Sequence, residues 1–304
     1  MKNAIKYYYN LEPVDIHFIN NSYFFTITDQ FYVLYFCNQD EKEIQKSYDL
    51  QKKLFENKIY AHQILLNKDQ NIVTMIDNKQ YVLMRMYNQM NNKINKSMVV
   101  LFSEETSYIF TDNKSQTSWK NLWQQKIDYF EYQLNQFGKK FIKIRKSFSY
   151  FVGMTEIGIS LLTNFENSAN LSISHRRINK DSTVFDLYNP FNFIVDYKIR
   201  DICEYFKYSF VNGKVIFDDI MEYITMSNLT SGEIYLFFVR MLFPSFYFDY
   251  YEEIMDKYFH ENIINENSLD NIEKIAIDYE KLLKKIYLFI KGYISLPKID
   301  WLEH

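Results

Sequence analysis

The sequence predicts an α+β chain with a small strand-rich N-terminal lobe and a larger, mainly helical C-terminal lobe. Three observations carry this expectation. Before residue 87 the apolar residues fall in short β-branched and aromatic runs separated by polar turns. After residue 119 they recur every three or four positions. The chain has 304 residues, 47% hydrophobic and 24% charged, which is enough to bury two substantial cores.

Residues 14–37 read as strands. Tyr23–Thr28 and Phe31–Phe36 form a hairpin across Asp29-Gln30. Asp40–Asn57 reads as a helix with Ile44, Tyr48, Leu50, Leu54 and Phe55 roughly on one face. Strands follow at Ile64–Leu66, Ile72–Ile76 and Tyr81–Met86, with a polar turn at Asp77-Asn78-Lys79. Residues 88–118, polar except for an apolar island at Met98–Phe102, read as a crossover. Lobes are therefore expected at 1–87 and 88–304. A helix runs from Trp119 to a stop at Gly138, and another covers Thr155–Asn164. Residues 171–197 read as irregular. Helices are expected at Lys198–Tyr208, Phe217–Met226, Ser231–Met241 and Tyr247–Tyr258, and a last one runs from a Ser268 cap to Gly292. Strands, one helix, strands and then helices is the layout of a bilobal, protein-kinase-like fold.

Composition limits the function. Net charge is −3, so no strongly basic face is required and nucleic acid is not a favoured partner. Cys37 and Cys203 stand far apart with no metal-type spacing, and read as reduced thiols of an intracellular protein. His17, His62, His175, His260 and His304 are scattered, so no metal site is expected. No apolar run is long enough to cross a membrane, and the N-terminus lacks the run of a signal peptide. Leu302-Glu303-His304 matches the start of a cloning-derived tag. Aromatics reach 19%, a bias that an AT-rich coding sequence produces, so clusters such as Tyr247–Tyr251 read as core. There is no P-loop, no G-x-G-x-x-G and no G-x-S-x-G elbow.

Five stretches, in order, carry a family resemblance. They are Leu122–Glu131 (LWQQKIDYFE), Ser147–Glu156 (SFSYFVGMTE), Asp196–Lys207 (DYKIRDICEYFK), Arg240–Asp249 (RMLFPSFYFD) and Leu296–Leu302 (LPKIDWL). Together they resemble the YutH and CotS group of spore-coat-associated kinase-like proteins, distant relatives of aminoglycoside and choline kinases. The resemblance is greatest to the YutH branch. In the second stretch Ser149 stands where the motif has proline.

The resemblance implies where phosphotransfer residues would lie. Transfer from ATP needs a glycine-rich cover, a lysine on the phosphates, a carboxylate at the acceptor and a metal-binding Asp. The first 137 residues contain no glycine, so the cover is missing. The lysine of the V-A-I-K strand falls on Tyr35, a neutral phenol. The catalytic loop falls on Ile173–Arg177, with His175 kept and Arg177 at the aspartate position, a permanent cation in place of a base. The metal-binding position falls on Asn189 or Asn192, with Asp186 as a displaced alternative. Asp196, Arg200, Asp201 and Glu204 read as structural, with Arg200 pinning its loop through a carboxylate and the acids favoured at a helix start.

The main expectation is thus a pseudokinase: a kinase-like fold without catalytic residues, working as a binding or structural protein. The resemblance places it in the cytoplasm or the spore coat, with spore-coat proteins as partners. No cofactor is expected. Two alternatives stay open. One is an active small-molecule phosphotransferase with relocated groups, using ATP and Mg²⁺. The other is a nucleotide-sensing pseudokinase with an adenine slot beneath Met84 to Tyr87.

Overall fold

A computed structural model describes residues 1–87, 92–110, 118–163, 165, 169–179 and 181–303. Parts of the expected crossover (88–91 and 111–117), Asn164 of an expected helix and His304 lie outside the described residues. The fold is α+β, an antiparallel sheet followed by a mostly helical part. Contacts divide the chain into two compact units. Against the expected division at 87/88, unit 1 gathers Met1–Ile109, His175–Arg177 and Asp181–Ile194, and unit 2 gathers Phe110–Ser174, Ile178–Lys180 and Val195–His304.

Unit 1 is built on a six-stranded antiparallel sheet. Its strands are β1 (Ile16–Ile19), β2 (Ser22–Ile27), β3 (Gln30–Phe36), β4 (Gln63–Leu65), β5 (Thr74–Ile76) and β6 (Lys79–Arg85), in the order β1-β2-β3-β6-β4 with β5 also on β6. Three two-residue turns close its hairpins: Asn20-Asn21, Thr28-Asp29 and Asp77-Asn78, all at positive φ. Such turns match the strand twist and usually take glycine. In this glycine-free stretch Asn and Asp fill five of the six turn positions, because their short side chains tolerate the left-handed region, and Thr28 takes the sixth.

The sheet is covered on both faces. Val33, Val82 and Met84 point to one side, where Ile44 of helix α2 (Glu41–Glu56) and Phe191 meet them. Leu34, Tyr81 and Leu83 point to the other, against Ile5 of α1 (Lys2–Tyr9). That two-sided cover explains why β6 is buried at four consecutive residues. Helix α1 is absent from the sequence expectation. Its Ile5 is fully buried, and burial of one such side chain contributes about 1.5–3 kcal/mol. Within the expected crossover, Lys96–Ser107 is a helix, α3, whose N-cap Asn95 accepts from the Met98 amide. Residues Asn92–Ile94 bond to Ser182–Val184, drawing the later segment into this unit.

Unit 2 is helical: α4 (Trp119–Phe137), α5 (Ile142–Thr163), α7 (Arg200–Val211), α8 (Phe217–Met226), α9 (Ser231–Leu242), α10 (Ser245–Glu261), α11 (Ile272–Ile290) and α12 (Asp300–Glu303). Three expectations need correction. Helix α5 begins at Ile142, well before Thr155, because Ile144, Phe148 and Phe151 continue its buried face at helical spacing against other helices. Ser268 does not cap α11 but lies in a short 3-10 turn, Asn267–Leu269. Residues 171–197 contain strands β7 (Leu171–His175) and β8 (Phe193–Tyr197) and helix α6 (Val184–Tyr188). The unit boundary falls within β7 and β8.

Candidate functional site

Tyr35, His175, Arg177, Asn189 and Asn192 all belong to unit 1. Tyr35 lies on the same face of β3 as Val33, two residues earlier, and so turns toward the α2 side of the sheet. Its ring stacks on Phe191 with centroids 5.4 Å apart and planes 9° from parallel. Burial raises the pKa of its hydroxyl, against a smaller lowering by the Asn189 side chain, so the phenol stays neutral.

Asn189 is buried, and its side-chain oxygen accepts from the Phe191 amide at 3.1 Å, shaping the 3-10 turn Pro190–Asn192. Asn192 donates to the carbonyls of Arg177 at 3.4 Å and Asp186 at 3.5 Å. Asp186 sits in the capping box of α6, where one carboxylate oxygen accepts from the Thr183 amide at 2.8 Å and hydroxyl at 2.9 Å. His175 is buried and its Nε2 is 2.9 Å from the Leu187 carbonyl oxygen. Arg177 is exposed. Its neighbour Arg176 pairs with Glu43 near the start of α2. Lys46, then Arg176, holds the Glu43 carboxyl below its ordinary pKa.

Sequence reasoning left His62 as one scattered histidine. The structure makes it a hub of unit 1. Its ring is fully buried between Phe185, at 4.8 Å, and Tyr188, at 6.3 Å. Nε2 donates to the Phe185 carbonyl (3.1 Å), while Nδ1 accepts the Tyr87 backbone N–H (3.0 Å). Burial depresses its pKa to about 4, so the ring is neutral near pH 7 and one tautomer serves both bonds. Tyr87 in turn stacks on Tyr60 and meets Tyr188 edge-on at 5.1 Å. Beside it the Met86 carbonyl accepts from the Gln30 side chain at 3.0 Å, and Met84 is fully buried. Phe24 of β2 packs edge-on to Phe185 at 5.9 Å.

Asp196, Arg200, Asp201 and Glu204 lie in unit 2. Asp196 is buried and accepts from the Trp119 indole N–H at 3.0 and 3.1 Å, from the Tyr197 amide at 2.7 Å and from Arg200 at 3.2 Å. Asp201 stands in the first turn of α7. Glu204 is one turn further in and buried. One oxygen accepts from Lys207 and from Arg240, both at 2.7 Å, and the other from the Ser245 hydroxyl. Burial opposes its ionisation, but Lys207 and Arg240 overcome that and hold the carboxyl below its ordinary pKa. Lys207, itself fully buried, also donates to the carbonyls of Arg240 and Phe243. Lys207 and Arg240 stood in the quoted motifs, but nothing in their spacing joined them to Glu204. This cluster binds α7 to α9 and α10 and presents no open face for chemistry.

A family model described as "Spore coat putative kinase YutH" matches residues 2–286. Among curated proteins, the endospore coat-associated protein YutH of Bacillus subtilis (strain 168) is 22% identical over 335 aligned positions, covering 99% of this chain and 98% of its own. Among solved structures, an aminoglycoside phosphotransferase from Alicyclobacillus acidocaldarius superposes with a TM-score of 0.62 at 9% identity, covering 96% of this chain and 94% of its own. An amicoumacin kinase in complex with AMP-PNP, Ca²⁺ and its ligand superposes with a TM-score of 0.57 at 10% identity, covering 99% and 95%. At these identities the likeness to the solved structures concerns the fold, which is kinase-like.

Proposed function

The chain belongs to the YutH family of spore-coat kinase-like proteins, and from that premise we propose that it is a pseudokinase acting as a binding or structural component of the spore coat. One observation carries the reading. The residue at the lysine position, Tyr35, stacks its ring on Phe191, and a residue at the metal position, Asn189, is buried and accepts from the Phe191 amide. A phosphotransferase needs those two positions to hold a cation against phosphates and a carboxylate against Mg²⁺. A phenol and an amide supply neither charge.

Neighbouring contacts support the same reading. Asn192 and Asp186 are engaged with local backbone and capping groups rather than turned to a shared centre. The β1–β2 turn is two residues long, with no glycine backbone to close over phosphates. The Tyr87 N–H and Met86 carbonyl, groups that would face an adenine ring, are satisfied by His62 and Gln30. Mg²⁺–ATP does not fit this set of residues, and we derive no transfer step. The curated relative's name supplies the coat, and the mode of action is protein binding.

The test is a thermal-shift titration with ATP, with and without Mg²⁺. A ligand at 100 times its Kd stabilises by about 2.7 kcal/mol, a readily measured rise in Tm. The expected result is no shift at millimolar ATP in either condition. A Mg²⁺-dependent rise would overturn the reading in favour of a phosphotransferase, and a metal-independent rise would make the protein a nucleotide sensor.

A further inference from the structure

In unit 2, the turn after α7 and the side of α11 enclose a groove of about 600 Å³. Its floor is apolar, formed by Phe217, Ile275 and the buried Leu282. Its rim is cationic: Lys214 on the turn, and Lys274, Lys281 and Lys285 on α11, all exposed. Asp278 also lines it and pairs with Lys281 at 3.0 Å, which leaves the rim with a surplus of positive charge on a chain whose net charge is −3.

The rim is organised. Positions 274, 278, 281 and 285 follow helical spacing along one face of α11, so a rigid helix holds these charges in register. The Lys285 ammonium lies 5.7 Å from the Phe217 ring and that of Lys214 lies 5.9 Å from the Tyr205 ring, so their stems cover aromatic surface while their heads stay at the edge. The turn itself is fixed by Gly213, at φ +82°, a conformation that favours glycine. Beside it, Val215 is 88% exposed, the highest value among the large apolar side chains of the described residues.

We propose that this groove docks an acidic segment of a partner protein. An apolar side chain of the segment would lie on Phe217, Ile275 and Leu282, and flanking Asp or Glu carboxylates would reach the α11 lysines. Charge complementarity selects the sign of the partner, because clustered lysines repel one another until an anion relieves them. The apolar floor selects the class. A nucleic acid or a polyphosphate would use the lysines and leave the floor and Val215 in water. The groove lies at the opposite end of α7 from the Asp196–Arg200 loop, about 18 Å away along the helix. Every residue of the groove lies in unit 2, whereas Tyr35 belongs to unit 1, so the proposal stands independently of whether nucleotide binds near Tyr35.

The probe is a random dodecapeptide library displayed on phage and selected on the full-length protein. Enriched peptides are then synthesised and their affinities measured by fluorescence anisotropy. The expected result is enrichment of sequences in which Asp or Glu flanks a bulky apolar residue. Their affinity should fall at least tenfold for the variant K274E/K281E/K285E, and also for Val215→Asp. All four positions are exposed, so an unchanged Tm is expected and would exclude unfolding as the cause. No enrichment, peptides without acidic residues, or acidic peptides indifferent to both variants would overturn the proposal. A single-stranded oligonucleotide or sodium tripolyphosphate that displaces the peptides and itself binds more tightly would also overturn it, making the groove a general polyanion site.

Discussion

At the scale of single residues, His62 shows how burial converts an unremarkable side chain into a constraint. Its ring accepts from the Tyr87 amide and donates to the Phe185 carbonyl, so protonation would place two donors face to face. The folded pKa is depressed to about 4 by burial, against about 6.5 in the unfolded chain. The unfolded state therefore binds more protons between these values. The contribution of His62 is complete above pH 6.5 and is lost as pH falls toward 4, amounting to about 3 kcal/mol in all. Urea midpoints measured from pH 7 to pH 4 should show this slope in the native protein. They should show a flatter one in His62→Gln, whose amide does not titrate, and an equal slope in both would refute the assignment. Tyr35 carries the opposite lesson. Its side chain, read in the sequence only as a neutral phenol, is in the structure a packing group with Phe191 as its partner.

At the scale of elements, the ion cluster on α7 holds three helices together. Glu204 is the only carboxylate shown bonded to Lys207 and Arg240 among the described residues, and all three side chains are buried. Removing one member of such a set leaves an uncompensated charge in the interior, a cost of about 3–5 kcal/mol. Glu204→Gln should lower unfolding stability by that amount in guanidinium titrations, far more than Glu253→Gln, whose pair with Lys257 is exposed. Stability carried by Glu204 is present above its unfolded pKa and is lost as pH falls through its lowered folded value. The hairpin turns give a change of opposite sign. Thr28 is β-branched and sits at φ +46°, followed by Asp29 at φ +64°. Replacing the pair with Asn-Gly should stabilise the protein by about 1 kcal/mol, read as a higher Tm, because it removes left-handed strain.

At the scale of the whole molecule, the sheet unit is not a contiguous stretch of chain. Phe185 and Phe191 belong to its hydrophobic cluster although they lie about a hundred residues after the last strand of the sheet. A fragment of residues 1–109 lacks them, and loss of a single buried Phe costs about 3–5 kcal/mol. The fragment should bind the dye ANS and give poorly dispersed amide NMR signals. Joining residues 181–194 to it through a flexible linker should restore dispersion. A well-folded 1–109 fragment would show that the later segment only decorates the sheet.

Strand runs, the α2 face and the periodicity of α4 and α11 were legible because their apolar spacing reports local geometry directly. The kinase-like fold and the spore-coat family were legible through five stretches in order. What the sequence could not supply were contacts between residues distant along the chain. Helix α1 exists because Ile5 finds the back of the sheet, and α5 extends to Ile142 because its buried face meets other helices. The stacking of Tyr35 on Phe191 and the pairing of His62 with Tyr87 and of Glu204 with Arg240 were likewise decided only in three dimensions. Periodicity records which side of an element is apolar, whereas the choice of partner depends on where the chain returns.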